Sequence, residues 1–406
     1  MQVLERRMNH PHPAKGSYRL AVGVFFFVLG FCFASWASRI PDVQASLGLN
    51  DAELGTALFA APLGQLPTML AAGFLVSRFG SRAVLTTGLL IYAASLAALG
   101  LAASFSHLFA ALFLFGVGSN LYGNAVNSQA VGLERIFRRS IMGSLHGLWS
   151  LGGVAGGVMG TLLAAGHIPP RTHLTGMAVL ALAALLAFRG RVLPRDELGG
   201  HGANRRNQTP AEKRFVFPDA FLALLGVMAF GSMATEGAMY DWNAVYFASV
   251  IGAPPQFTRL GYIACMAAMV AGRFTMDRLM TRFGPVRLLQ VSAACMTLGF
   301  ALLIGLPHLA PATLGSACIG FGMAAGVPVA FSMAGKTTRV PPSVAISMVN
   351  AISFCGFLLC PPVIGHLSHA FSLRAAFLPM AAIALAILGL APLLRRYHAE
   401  PDGSKT

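Results

Sequence analysis

Apolar residues in this chain run in long unbroken blocks separated by short polar hinges. Twelve blocks fall near residues 20–40, 54–77, 83–104, 108–132, 141–165, 172–189, 219–247, 256–280, 286–306, 309–333, 343–366 and 372–393. Each is about 18–29 residues long, enough for a helix rising ~1.5 Å per residue to cross a hydrocarbon core of ~30 Å. Because the runs are continuous, without alternation of period two, they predict helices and not the strands of a barrel. The fold class expected is therefore all-α, a polytopic membrane protein with twelve transmembrane helices. They form two sets of six: an N-terminal tail at 1–19, a bundle at 20–189, a linker at 190–218, a second bundle at 219–394 and a tail at 395–406.

Composition agrees: 56% of the 406 residues are hydrophobic and 11% charged, with mean hydropathy +0.67. A soluble chain of this size needs more polar surface. The first apolar run is too long for a cleaved signal and lacks a small-residue cleavage pattern, so it reads as a retained helix.

Charge orients the helices. Of the 29 Lys and Arg, only Arg39, Arg171, Arg259 and Arg374 flank one side of the predicted spans, which leaves 29 − 4 = 25 on the other. By the excess of basic residues in cytoplasmic loops, both termini and the linker are expected in the cytoplasm. The net charge of +15 then fits an anionic inner leaflet, and no nucleic-acid partner is expected, since the basic residues are scattered over short loops. Cys32, Cys265, Cys295, Cys318, Cys355 and Cys360 all lie in apolar segments without a CxxC pair and read as buried thiols, neither disulfides nor metal ligands. No phosphate-binding glycine loop, HExxH or nucleophile elbow occurs, so neither an enzyme nor a bound cofactor is expected.

An internal echo links the halves. Gly73, Ser77, Arg78, Gly80 and Arg82 follow the second block, and Gly272, Arg273, Asp277, Arg278, Gly284 and Arg287 follow the eighth. Both are a glycine, a spacer and a basic turn with a second glycine, as in transporters built from parallel repeats. The two loops resemble the Gly-x-x-x-Asp-Arg-x-Gly-Arg-Arg signature of the major facilitator superfamily, and length, six-plus-six count and central loop match that family over essentially the whole chain. The resemblance implies the major facilitator fold and a latch role for Arg78 and Arg278. The first copy carries Ser77 in place of the acid, and the second lengthens the spacing to Gly284. The stretches Arg39–Gln44, Ser140–Ser150 and Glu236–Trp242 further resemble a bacterial subgroup that includes the YbjJ- and MosC-like inner-membrane proteins. Such carriers usually act as monomers.

Polar residues inside the spans point to chemistry. Glu236 and Asp241 are acids within the seventh block, and an intramembrane carboxylate usually faces a wet cavity or a partner. Glu236 falls near the midplane, whereas Asp241 lies nearer the far end, beside Trp242 and Tyr246. Five residues apart, they are turned by ~140° and need not share a face. Glu236 is the first candidate for proton binding, with Asp241 and His146 behind it; structural pairing of Glu236 with a neighbouring helix is the alternative. Asn120, Asn124 and Asn127 recur at i, i+4 and i+7, which sets three carboxamides on one helix face. That stripe either lines a polar cavity or fastens helices together. Tyr122, Trp149, Gln65 and Asn350 are further cavity candidates.

Gly152, Gly156 and Gly160 form a doubled GxxxG for close helix packing, and Pro361-Pro362 is expected to bend or break the eleventh helix. Together these features predict a multi-pass protein of the bacterial inner membrane that carries a small solute, such as a sugar, polyol or metabolite, by proton-coupled alternating access. Efflux of drugs or metabolites, and a sensor or scaffold without transport, are the alternatives.

Overall fold

In a computed structural model, residues 15–137, 141–193, 219–337, 340 and 342–395 are described. Among them the structure is helical, without strands. The helices are α1 (Lys15–Ala37), α2 (Ile40–Leu47), α3 (Asp51–Phe79), α4 (Ser81–Gly100), α5 (Phe105–Phe137), α6 (Met142–Ala165), α7 (Pro170–Phe188), α8 (Ala220–Ser249), α9 (Leu260–Gly305), α10 (Leu309–Ala334), α11 (Pro342–Ala370), α12 (Leu373–Ala376) and α13 (Leu378–Leu390). Most of the predicted tails and linker lie outside the described residues, as do Arg138, Arg139 and Arg339, while residues 15–19 of the predicted N-terminal tail already belong to α1.

Ten helices among the described residues are long and apolar enough to cross a membrane, and the bent pair Asp51–Met69 and Ala71–Phe79 makes eleven. The expected span at 256–280 is present as helix, but its apolar part, Leu260–Met276, is shorter. Arg273, Asp277 and Arg278 interrupt the hydrophobic run there.

Local chemistry sets the breaks. At the start of α3, Asn50 and Glu53 form a reciprocal cap: Asn50 Oδ1 accepts from the Glu53 N–H at 3.0 Å, and the Glu53 carboxylate accepts from the Asn50 N–H at 2.9 Å. Asp219 caps α8 by accepting from the Leu222 N–H at 2.8 Å. The two echoed loops turn on glycines of matching conformation, Gly80 (φ 81°, ψ 148°) and Gly284 (φ 77°, ψ 164°). That region is essentially closed to residues with a Cβ. Gly284 therefore kinks α9 where the sequence separates two blocks. The Pro361-Pro362 pair, by contrast, lies inside one continuous α11, so the expected break is absent; the neighbouring α8 and α3 hold this helix in place.

Helix packing uses small residues. Gly152 and Gly156 face α1 so closely that an added Cβ would collide with the carbonyl oxygens of Phe27 and Phe31 respectively. Gly153 and Gly157, on an adjoining face, approach Met266 and Tyr262 of α9. The glycine-rich α6 thus presses on its own half through one stripe and on the second half through the other. A second seam joins α3 to α11, where Gly55 meets Gly365 and the Pro361 carbonyl. Cys355 is exposed and Cys295 and Cys318 are half-buried, against the expectation of uniformly buried thiols; in lipid an apolar side chain need not be covered by protein.

Candidate functional site

The seams enclose a cavity of about 470 Å³ between the halves, within the range of small-molecule sites, ~300–1,000 Å³. From the first half α1 supplies Leu29 and Phe33, α3 supplies Gln65 and Met69, α5 supplies Asn120, Asn124 and Asn127, and α6 supplies Trp149. From the second half come Glu236 and Tyr240 of α8 and Asn350, Phe354 and Phe357 of α11. The asparagine stripe therefore faces the cavity. Its members are braced locally: Asn124 Nδ2 donates to the Asn120 backbone and side-chain oxygens, each at 2.9 Å, and Asn127 Nδ2 donates to the Gly123 carbonyl at 2.9 Å. Gln129, two residues beyond Asn127, is a fastener instead. It donates to Ser81 Oγ (2.8 Å) and the Leu193 carbonyl (3.2 Å) and accepts from the Leu193 N–H (2.8 Å), tying α5 to the start of α4 and the end of the first half.

Glu236 is the acidic group of the cavity wall. Its Oε1 accepts from the Tyr240 hydroxyl at 2.6 Å and lies 3.6 Å from Arg273 Nη2 of α9. Arg273 also spans the seam: its guanidinium lies 5.5 Å from the Trp149 ring centre, and Nη1 approaches Ser150 Oγ at 3.4 Å. In the sequence Arg273 reads as part of the basic loop after the eighth block, and the intramembrane Glu236 is the signal that a cationic partner is needed. The pair neutralises its own charge, leaving a wall of amides and aromatic rings.

Three sequence candidates fall elsewhere. Tyr122 is fully buried and donates to the Phe25 carbonyl, so it packs α5 on α1 and does not line the cavity. Asp241 lies outside the cavity lining, consistent with its turn away from Glu236 along α8. His146 is exposed, with its ring edge-on to Phe26 at 5.2 Å, and it too is outside the lining.

Among the echoed-loop residues, Arg78 and Arg278 are exposed and Arg78 stacks beside Phe79 at 5.7 Å. Gly272 packs against Ala324, Gly73 has open space around it, and the Asp277 side chain lies outside the described residues. Arg82 lies at the start of α4, beside a surface cleft shared with Arg189.

The opposite end of the bundle carries a polar latch that sequence reading had not assembled. Arg39 and Arg259, each 2% exposed, both reach Asp42 Oδ2, with Arg39 Nη1 at 2.9 Å. Arg259 Nε also donates to the Ser38 carbonyl at 2.5 Å, and Ser368 Oγ donates to Asp51, so both seams are pinned here. Burial pushes the Arg259 pKa down, and the neighbouring Asp42 carboxylate pushes it back up.

The sequence pattern of the Major Facilitator Superfamily matches residues 20–343. An uncharacterised MFS-type transporter of Yersinia pestis is 30% identical over 94% of this chain and 96% of its own length. The membrane protein MosC of Rhizobium meliloti is 30% identical over 93% and 90%. Among solved structures, the nucleoside transporter NupG superposes with a TM-score of 0.75 at 14% identity, covering 93% of this chain and 99% of that one. A bacterial homologue of the lysosomal transporter Spinster, inward-facing and unoccupied, gives 0.68 at 15% identity, covering 95% and 98%.

Proposed function

The chain belongs to the major facilitator superfamily, and from that premise we propose that it is a proton-coupled secondary transporter of a small, neutral, hydroxyl-rich solute. The observation that carries this reading is the cavity itself. Both halves wall it, Glu236 faces it with Tyr240 and Arg273 as partners, and its other polar groups are uncharged amides. Amides pair with hydroxyls in either sense, donor or acceptor. Phe33, Trp149 and Phe354 offer flat apolar faces to a ring. Sugars, cyclitols and comparable metabolites fit that chemistry.

In the proposed cycle both termini are cytoplasmic, as the basic residues direct, and the short apolar helix at Leu260–Met276 completes twelve spans in two bundles, 20–189 and 219–394. Its Arg273 is tolerable at membrane depth because it turns inward to Glu236. The Arg39–Asp42–Arg259 end is then periplasmic and closed. A proton on Glu236 weakens its attraction to Arg273, which loosens the α6–α9 seam and links protonation to rocking of the halves. The carrier acts as a monomer in the bacterial inner membrane and uses no cofactor besides the proton.

A second reading, efflux of amphipathic compounds, draws on the aromatic share of the wall, with Tyr92, Tyr240 and Phe357 added to the three rings above. Thermal stabilisation of the purified protein by sugars, cyclitols, amino acids and cationic drugs, compared at acid and at neutral pH, separates the readings. A neutral polyol hit whose pH dependence vanishes in Glu236→Gln supports the first; hits confined to amphipathic cations support the second. A solute hit that is unaffected by pH and by Glu236→Gln removes proton coupling through this residue.

A further inference from the structure

A second cavity, about 440 Å³, lies at the Arg39 end and is lined by Arg39, Asp42, Thr258 and Arg259 among others. Two guanidiniums that are 2% exposed carry two positive charges there, and Asp42 is the acid in the lining. The two guanidiniums therefore hold an excess positive charge with little exposure of their own, which an anion would compensate, while Asp42 at 32% exposed shows that the cluster is open to solvent on one side.

The hydrogen bonds sharpen this. Arg39 donates through Nε to His173 Nδ1 at 2.9 Å, through Nη1 to Asp42 and through Nη2 to the Ile168 carbonyl at 3.0 Å. Arg259 donates to the Ser38 carbonyl, the Pro255 carbonyl at 3.4 Å, and Asp42. Each guanidinium has five N–H groups, so each retains two after three such bonds. His173, which accepts from Arg39, lies behind the arginine and outside the cavity lining. Because its Nδ1 accepts from Arg39, the proton of the neutral ring sits on Nε2, and Nε2 is buried without a partner.

We propose that this cavity is a binding site for a small oxyanion, either a carboxylate or inorganic phosphate, held by the forked donors of Arg39 and Arg259. One arginine belongs to each half, so the bound anion bridges the halves beside Asp42 and strengthens the closed latch. In the orientation proposed above, the site reads the periplasmic anion. Binding here does not depend on the Glu236 cavity transporting a particular solute, and its test leaves that reading untouched.

The test is thermal unfolding of the purified full-length protein titrated with acetate or inorganic phosphate, replacing chloride at constant ionic strength. The expected result is a saturable rise in Tm with at least one oxyanion, absent in Arg259→Gln. A response to acetate alone identifies a carboxylate site, and one to phosphate alone an inorganic anion site. Asp42→Asn supplies the arm that does not depend on losing an arginine. It removes the competing carboxylate, so the half-maximal oxyanion concentration should fall by about tenfold, as expected for one unit charge a few ångströms away. Equal shifts with chloride and oxyanions, or an unshifted or weakened response in Asp42→Asn, would overturn the proposal.

Discussion

Glu236 and Gln129 show how differently two polar side chains inside the bundle can act when each is judged by its partners. Gln129 satisfies the Leu193 N–H and carbonyl together with Ser81. Gln129→Ala should therefore cost about 2–4 kcal/mol through stranded buried groups, read as a lower Tm, with solute affinity unchanged. Asn124→Ala should do the opposite: its amide faces the cavity and bonds only within its own helix, so solute affinity should fall while Tm holds. Glu236→Gln should abolish any difference in solute binding between acid and neutral pH, and Arg273→Ala should reduce binding by freeing a half-buried carboxylate that competes for the cavity's donors. At this scale the sequence was partly legible. The i, i+4, i+7 amides announced a lining because helical geometry fixes their common face. Arg273 was hidden because its long side chain carries the charge far from its backbone position, from the edge of a span to the cavity. Tyr122 sits between two stripe residues, but its position on the helix cylinder points it at α1.

The helices themselves were legible because hydrophobic length is a strong signal, and the breaks between them less so. The echo of Gly80 and Gly284 reflects a backbone requirement: both adopt a conformation that a Cβ disfavours by about 1–3 kcal/mol. Gly80→Ala and Gly284→Ala should each lower stability by that order, whereas Gly73→Ala, with open space at its Cβ, should leave Tm unchanged or raise it. Thermal unfolding of the three variants in one lipid or detergent checks the contrast. Gly156→Val should be more disruptive than Gly73→Ala, since its Cβ would meet the Phe31 carbonyl of α1. Short α2 was missed because eight residues following a full span look like its continuation. Only the turn at Ser38-Arg39 separates the two helices. The double proline suggested a break that neighbouring helices suppress, a case where packing overrides local preference.

At the scale of the whole molecule, a tightly pinned end and a solute-sized cavity between two halves are what the proposed carrier would show with one gate shut. Two of the four basic residues on the sparse side of the charge bias form that gate, Arg39 and Arg259 on Asp42, and a third, Arg374, donates to the Ile304 carbonyl. Their pairing required three-dimensional proximity that a charge count lacks. The central claim is that the halves rock about the cavity, closing one end as the other opens. Spin labels at Ser46 and Gln256 report the Arg39 end, and labels at Ser77 and Lys336 report the Arg78 end; all four residues are exposed. Pulsed distance measurements on both pairs, with and without Arg259→Gln, which removes the bonds to Asp42 and the Ser38 carbonyl, test the claim directly. The account predicts that breaking the latch shifts population towards longer distances in the first pair and shorter ones in the second. Distances that stay fixed in both pairs, or that lengthen together, would contradict alternating access and favour a static sensor or scaffold.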